Sequence, residues 1–243
     1  MRIIKLSAID STNSYLRRLG SEFVLDDYTI VSAEKQTEGR GQMGAVWDAE
    51  GSKNLTFSVF KDMSMLELDY PFLISIVASL SVFKALEDLN IPKLSVKWPN
   101  DILSANKKIC GILIESVIKR NRLKSSIVGI GLNVNQTVFN NFTHASSLTL
   151  ITGQVFDLEI LLLAVIEKLK AYFCVLENGE HAILTAEYEK YLFRKDKPSS
   201  FKDAKGQIFT GIIKRVSPSG HLQVLVENRR IKEFDIKEIT LLY

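Results

Sequence analysis

The feature that most constrains the fold is a helix that is apolar on all sides. The run from Tyr70 to Phe83 holds no charged residue over 14 positions. Pro71 suits the first turn of such a helix, because the N–H that proline lacks has no partner there in any case. We therefore predict a deeply buried helix over 71–90. A run of 14 residues is too short for a membrane span, which needs roughly 20.

Alternating and apolar runs on both sides of this helix predict a mainly antiparallel sheet. Three more helices are expected, so the predicted fold class is α+β, with a mixed, mainly antiparallel sheet. The expected strands are 3–9, 29–33, a run from 55, 94–97, 101–103, 109–118 and 126–132. The expected helices run from the Ser11-Thr12-Asn13 cap to Gly20, over 157–176 and over 180–193.

The chain changes character near residue 196. Its net charge is +3 overall, but the stretch from Lys197 to Tyr243 alone carries +4, so the first 196 residues are close to neutral. Short β runs around the turn Ser217-Pro-Ser-Gly220 replace the longer elements there. We predict two domains, 1–196 and 197–243, the second a small β-barrel. Its expected strands are 207–215, 221–226, 229–234 and 239–242.

Composition excludes several classes of protein. A chain with 24% charged and 46% hydrophobic residues is an ordinary globular protein, and a net charge of +3 is far from that of a dedicated nucleic-acid binder. Cys110 and Cys174 have no metal-binding spacing, and both are predicted to be reduced core residues. The start of the chain has no apolar stretch that suits a signal peptide. We therefore expect a cytoplasmic protein with no membrane contact.

The segment Gly39-Arg-Gly-Gln-Met-Gly44 matches the GxGxxG pattern of dinucleotide-binding folds. Such a fingerprint leads directly into a helix whose N-terminus faces the pyrophosphate, whereas residues 46–53 here lead into a strand. We therefore predict a mobile glycine loop in which Arg40 and backbone N–H groups close over an anion. An ordinary flexible connection between two strands is the alternative.

A second group of polar residues is Lys97-Trp-Pro-Asn-Asp101, followed by Lys108 and Gly111. Pro99 ends a strand and leaves Asn100 and Asp101 at a bend, and Gly111 lets a ligand approach the backbone. Two lysines, an aspartate and an asparagine near an arginine-bearing loop provide cations for phosphates and a carboxylate for Mg²⁺, as nucleotidyl transfer requires. A solvated lysine-rich hairpin is the alternative.

A third motif, Gly129-Ile-Gly-Leu-Asn133, places two glycines and an amide at the end of a strand. Glycines inside a strand commonly mark a close approach to the backbone. The motif therefore predicts a ligand contact, with a β-bulge as the alternative.

Taken in order, these motifs resemble those of the biotin protein ligases. The resemblance extends from Ser11 into the C-terminal β segment, and the Lys97-to-Asp101 and Lys108-to-Leu113 blocks are its most specific parts. It implies a catalytic domain related to class II aminoacyl-tRNA synthetases and a C-terminal SH3-like barrel. It also implies a reaction in two steps, in which biotin and ATP·Mg²⁺ give biotinyl-5′-AMP and a lysine of a biotin carboxyl carrier protein then accepts the biotin.

The resemblance also implies roles for individual residues, with the metal ligands left unknown. The implied catalytic residues are Lys108, Arg40, Lys97 and Asp101. The implied biotin-binding residues are Ser11, Thr12, Asn13, Gln36, Gly39, Arg40, Gly41, Gln42, Lys108 and Gly111. The implied nucleotide-binding residues are Arg40, Trp47, Lys97, Asn100, Lys108 and Asn133.

The chain departs from the family pattern in two respects. Gln42 and Ala45 stand where members with a GRGRxGR loop carry arginine, so the charge of the loop is expected to rest on Arg40. The Ser11 block also begins ten residues into the chain, which leaves no room before it for the DNA-binding domain of some members. We therefore expect no DNA partner, and the oligomeric state, including a homodimer, stays open.

Two rival functions remain open at this point. A lipoate or octanoyl protein ligase has a related fold, but its acyl chain lacks the ureido group that the Ser11-Thr12-Asn13 block suits. A non-catalytic binding module, with the basic barrel gripping RNA, is the other rival. The barrel has no clear series of aromatic residues for stacking on bases.

Overall fold

The computed structural model describes residues 1–66, 70–120, 122–139, 143–227 and 230–243. Its larger sheet has seven strands in the order β1-β2-β3-β7-β6-β5-β4. Only β1 and β2 pair in parallel, so the predicted mixed, mainly antiparallel sheet is confirmed. The strands are β1 (Arg2–Ile9), β2 (Thr29–Gln36), β3 (Leu55–Asp62), β4 (Leu94–Lys97), β5 (Asp101–Ser104), β6 (Lys107–Lys119) and β7 (Arg122–Leu132).

Helix α2 (Phe72–Asp88) is the buried helix expected from its uncharged sequence. Twelve of its 17 residues are buried. It packs against β4, β5 and β6 on one side and against α4 (Leu158–Glu177) and α5 (His181–Lys190) on the other. The apolar surface of α2 is therefore covered by the sheet and by these two helices, and the main core forms around it.

Helix α1 (Thr12–Glu22) lies against β2, β3 and β7. Leu16 is fully buried there with Val31 and Ile127 in a separate small cluster. The helix continues past Gly20, where we expected it to end, because a glycine costs an α-helix only about 1 kcal/mol. The Ser11 side chain caps the helix by accepting a hydrogen bond from Ser14 N. This cap fixes the Ser11-Thr12-Asn13 segment beside the sheet.

The C-terminal segment forms a second, antiparallel sheet of five strands in the order β11-β10-β9-β8-β12. Its first strand was not expected, and it begins at Pro198, where proline is tolerated because the first residue of a strand need not donate. The sheet shares the main core, since Phe201 and Val224 are fully buried in the same cluster as α2. The strands are β8 (Pro198–Asp203), β9 (Ile208–Val216), β10 (Leu222–Val226), β11 (Arg230–Phe234) and β12 (Ile239–Leu242).

Two further details differ from expectation. A short helix, α3 (Leu148–Thr152), was not predicted. Cys110 is buried as expected, but Cys174 is exposed, because it lies on the solvent side of α4. Within the described ranges no helix combines the length and apolarity that a membrane crossing needs.

The contact between the two sheets generates a stability prediction. Trp98 Nε1 donates to the carbonyl of Gly220 at 2.8 Å. Gly220 has φ +93, and a Cβ there would lie 2.6 Å from the Phe72 ring. Gly206 has φ +84, but a Cβ there would meet nothing within 4 Å.

We expect Gly206→Ala to lower the free energy of unfolding by about 1 to 2 kcal/mol, because alanine is strained in this left-handed backbone conformation. Gly220→Ala should lose about 1 to 3 kcal/mol more, because the added methyl group overpacks against Phe72. Urea unfolding of both variants checks this. Equal losses of unfolding free energy in the two variants would show that Phe72 moves aside without an energetic penalty.

Candidate active site

A cavity of about 220 Å³ lies on the face of the larger sheet, beside the start of α1 and the glycine loop. Arg40 of this loop lines the cavity. The structure brings most of the sequence-predicted site residues together here. Those lining the cavity are Ser11, Thr12, Asn13, Gln36, Arg40, Gly41, Gln42, Trp47, Asn100, Asp101, Lys108 and Gly111.

The floor of the cavity is a pair of glycines. Gly111 on β6 and Gly131 on β7 face each other directly across the two strands. A Cβ at Gly131 would lie 2.3 Å from Trp47 Cε2, and a Cβ at Gly111 would lie 3.0 Å from Trp47 Cζ3. The indole of Trp47 therefore lies on a stretch of sheet that only glycine permits. Pairing of β7 is regular through this stretch, so the β-bulge alternative is wrong.

One end of the cavity is a network of neutral polar groups. The backbone N and Oγ1 of Thr12 donate to Gln36 Oε1 at 2.8 and 3.1 Å. Ser58, which sequence reasoning missed, is fully buried beside this network. Its Oγ lies 2.7 Å from Thr12 Oγ1 and 2.6 Å from Asn13 Oδ1. A Cβ at Gly129 would lie 2.3 Å from Asn13 Oδ1. Asn13 thus fits only because the sheet has no side chain beneath it.

Glu115 is a second residue that sequence reasoning missed. Its Oε2 accepts from Asn13 Nδ2 at 2.9 Å and from Arg40 Nη2 at 2.7 Å. The signal was present in the period of β6, since Gly111, Leu113 and Glu115 alternate onto one face of the sheet. A carboxylate two residues beyond Leu113 in an apolar strand marks the edge of the cavity.

A cation and a carboxylate occupy the side of the cavity nearest β5. Lys108 Nζ lies 2.7 Å from Asp101 Oδ1, with the two side chains 35% and 14% exposed. The ammonium also lies 5.7 Å from the centre of the Trp47 ring. Lys108 is held by its backbone, which donates to His144 O and accepts from Ser146 N.

Asn100 has a structural task at the cavity wall. Its Nδ2 donates to Ile112 O at 2.6 Å, and its carbonyl accepts from Ile112 N at 3.0 Å. This pair of hydrogen bonds ties the bend before β5 to β6. Asp101 and Lys108 are thereby kept at a constant distance.

Three predicted residues do not line this cavity. Lys97 points toward the C-terminal segment, with Nζ 4.9 Å from the centre of the Tyr243 ring, and burial lowers its pKa. Asn133 is 4% exposed and donates to Ser146 O, while its Oδ1 is buried without a partner. Gly39 begins the glycine loop, and a Cβ there would lie 2.1 Å from Trp47 O.

The residues at the cavity do not suit a resident metal ion. No group of three or more His, Cys, Asp or Glu that suits a metal occurs in the described part of the chain. Asp101 is the carboxylate that lines the cavity, and it is already paired with Lys108. A metal here would have to arrive with a substrate that supplies most of its ligands.

A family model described as biotin/lipoate A/B protein ligase family matches residues 6–133. The chain belongs to this family. The matched segment contains every residue that lines the cavity, from Ser11 to Gly131. The resemblance to the biotin protein ligases that we drew from the motifs is confirmed. The GxGxxG match at Gly39 to Gly44 therefore does not mark a dinucleotide-binding fold.

Known relatives agree with this assignment. The bifunctional ligase/repressor BirA of Bacillus subtilis is 36% identical over 138 residues, 53% of this chain and 41% of that protein. The biotin--[acetyl-CoA-carboxylase] ligase of Mycobacterium tuberculosis is 31% identical over 129 residues, 52% of this chain and 47% of that protein. These matches span less than half the length of either relative.

A solved structure resembles nearly the whole chain. The biotin protein ligase from Aquifex aeolicus, in complex with biotin and ATP, is 28% identical with a TM-score of 0.83. The similarity covers 99% of this chain and 98% of that one. The second sheet is therefore part of the shared architecture.

The glycine floor generates a spectroscopic prediction. Gly131→Ala should push the indole of Trp47 away from the sheet and red-shift its emission, because a methyl group 2.3 Å from Cε2 cannot coexist with it. The other tryptophan, Trp98, is buried elsewhere and gives a constant background.

Gly51→Ala is the matched control, since a Cβ there would meet only ordinary contacts at 3.5 Å or more. Fluorescence of the two folded variants checks the prediction. An unshifted spectrum for Gly131→Ala would mean that Trp47 does not rest on this glycine.

Proposed function

We propose that this protein is a biotin protein ligase, which forms biotinyl-5′-AMP from biotin and ATP and transfers the biotin to a lysine of a biotin carboxyl carrier protein. The observation that carries the proposal is the build of the cavity. It combines an apolar glycine-and-indole floor, a neutral polar end, and a lysine on the opposite side. Biotin has the matching parts: an apolar bicycle, a ureido edge on one side of it, and a carboxylate tail on the other side.

The neutral end is proposed to hold the ureido group. Thr12, Asn13 and Gln36 offer donors and acceptors without net charge, as a neutral cyclic urea requires. Ser58 supports them from below by contacting Thr12 and Asn13. Ser58 is therefore proposed as a positioning residue. The proposed biotin-binding residues are Ser11, Thr12, Asn13, Gln36, Gly39, Arg40, Gly41, Gln42, Lys108 and Gly111.

Lys108 is proposed as the main catalytic residue. A carboxylate oxygen of biotin attacks the α-phosphorus of ATP, and pyrophosphate leaves. Negative charge gathers on the α-phosphate in this step, and a preorganised ammonium stabilises it. Asp101, at 2.7 Å, positions Lys108 in the absence of substrate.

The nucleotide is proposed to lie on the Trp47 side of the cavity, with Arg40 and Lys108 at its phosphates. Mg²⁺ is treated as part of the ATP co-substrate, because the described residues offer no cage for it. Asn100 shapes the wall. Asn133 and Lys97 are proposed as nucleotide-binding residues on the family resemblance alone, since neither lines the cavity.

In the second step, the amine of the acceptor lysine attacks the acyl carbon, and AMP leaves. An acyl-adenylate must be shielded from water until that amine arrives, which gives the glycine loop a role as a cover. The acceptor proposed is the carrier domain of a biotin-dependent carboxylase. The name of the Mycobacterium tuberculosis relative supports this choice.

We also propose the division of labour between the two parts of the chain. Residues 1–196 form the catalytic domain, because every residue lining the cavity belongs to them. The class II aminoacyl-tRNA synthetase type of this domain is proposed on the family resemblance. Residues 197–243 form an SH3-like domain. The antiparallel order of β8 to β12 supports that proposal.

The proposal is tested by incubating the protein with biotin, ATP, Mg²⁺ and a purified carrier domain. Mass spectrometry should detect biotinyl-AMP without the carrier, and a carrier heavier by one biotinyl group with it. Omission of ATP should abolish both products. Absence of biotinyl-AMP with folded protein would refute the proposed function.

Lys108→Ala should lower the rate of biotinyl-AMP formation by about 100-fold to 1,000-fold, the usual cost of removing one transition-state charge partner. Lys107→Ala is the matched control, because the Lys107 side chain is exposed and donates to Thr143 O away from the cavity. Pyrophosphate release measures both rates. A Lys108→Ala enzyme as fast as Lys107→Ala would remove Lys108 from the mechanism.

Arg40→Ala should severely lower the rate of biotinylation, because Arg40 supplies the positive charge that the loop presents to the cavity. Gln42→Arg should keep near-normal activity, since an added arginine at this rim position supports the same anion. Steady-state rates at saturating biotin and ATP compare the two. Equal loss in both variants would contradict this assignment of charge within the loop.

A further inference from the structure

Glu115 joins three parts of the molecule that are distant in sequence. Its Oε2 accepts from Asn13 at the start of α1 and from Arg40 in the glycine loop, at 2.9 and 2.7 Å. Its Oε1 lies 3.3 Å from Arg17 Nη1, one turn further along α1. The side chain itself is only 23% exposed. A single carboxylate on β6 therefore connects the sheet, the helix and the loop.

The contact with Asn13 fixes the direction of its carboxamide. A carboxylate only accepts hydrogen bonds, so Nδ2 of Asn13 must face Glu115. The Asn13 oxygen then faces Ser58, whose Oγ lies 2.6 Å away. Gly129 leaves the space that this oxygen occupies, since a Cβ there would lie 2.3 Å from Asn13 Oδ1. Glu115 thus orients the Asn13 carboxamide, with its nitrogen toward Glu115 and its oxygen toward Ser58.

The contact with Arg40 holds the glycine loop to the sheet. The backbone hydrogen bonds that residues 40–46 make in the described chain stay within the loop, from Gly41 N to Ala45 O and from Ala45 N to Gln42 O. Arg40 Nη2 to Glu115 Oε2 is the side-chain hydrogen bond that leaves the loop in this part of the structure. Arg40 is 37% exposed, so this pair is accessible to competition by a substrate anion.

We propose that Glu115 is a positioning residue of the biotin site. It orients Asn13 for the ureido group and holds Arg40 at the rim before the phosphates arrive. The proposal rests on the proposed function for its effect on biotin, but its effect on the loop concerns the protein without ligand. The two effects are therefore measured separately.

The first measurement is trypsin cleavage after Arg40 in protein without biotin or ATP, followed by mass spectrometry. Glu115→Gln removes the charge while keeping the shape, and it should accelerate this cleavage about threefold to fivefold, which corresponds to a half-exposed ion pair. Glu159→Gln is the matched control, because it removes an exposed ion pair with Lys5 outside the site. Its cleavage rate should equal that of the wild type.

The second measurement is the KM for biotin in the adenylation reaction. Glu115→Gln should raise it about threefold to tenfold, because a neutral amide oxygen makes a hydrogen bond roughly half as strong as one to a carboxylate, while kcat changes little. A general loss of structure would lower kcat and the melting temperature together. Glu115→Asp keeps the charge on a shorter side chain, so its KM should fall between those of the wild type and Glu115→Gln.

Faster cleavage and a raised KM in Glu115→Gln, with partial rescue in Glu115→Asp, support the proposal. Cleavage at the rate of the Glu159→Gln control refutes the role at Arg40, and an unchanged KM refutes the role at Asn13. If Glu115→Gln does not fold, the same two measurements on Glu115→Asp decide. Failure of the wild type to form biotinyl-AMP refutes the proposed function instead, and the cleavage result still stands.

Discussion

The site depends on the facing glycines Gly111 and Gly131 at the centre of the larger sheet. Without side chains, these two residues let the indole of Trp47 lie directly on the backbone of β6 and β7. The same space accommodates the end of the Lys108 side chain, which would lie 3.3 Å from a Cβ at Gly111. Close-packed interiors tolerate little added volume, so a larger residue at either position would displace the aromatic ring, the ammonium or both.

Electrostatics at the cavity follows from two ion pairs. Lys108 pairs with Asp101, and Arg40 pairs with Glu115. All four groups retain some exposure to solvent, so each pair contributes at most about 1 kcal/mol. Under the proposed function, a polyphosphate can therefore recruit both cations at small cost. The carboxylates keep the site near neutral and in place when no nucleotide is bound.

Much of the fold could be predicted from periodicity, and much of the cavity from its motifs. The uncharged run at 70–83 located α2, and alternation located most strands of the larger sheet. Strand β8 was missed because it starts at a proline, and α3 because five residues are too few to show a helical period. Ser58 was missed because only the tertiary structure shows that it contacts Thr12 and Asn13. The period of β6 puts Glu115 on the face of Gly111 and Leu113, but its partners Asn13 and Arg40 come from segments distant in sequence. Lys97 was placed in the cavity from its neighbours in sequence, but β4 is the edge strand and directs it toward Tyr243.

A neutral polar end above a glycine floor should select a bicyclic urea. Isothermal titration of the unmodified protein with biotin and with lipoic acid tests it most directly. Both ligands carry an apolar ring and a carboxylate tail, but only biotin has groups that can pair with Thr12, Asn13 and Gln36. We predict saturable binding of biotin and an affinity for lipoic acid weaker by at least about 100-fold, because buried polar groups left unpaired are costly. Equal affinities for the two ligands would show that the polar end of the cavity does not select the urea.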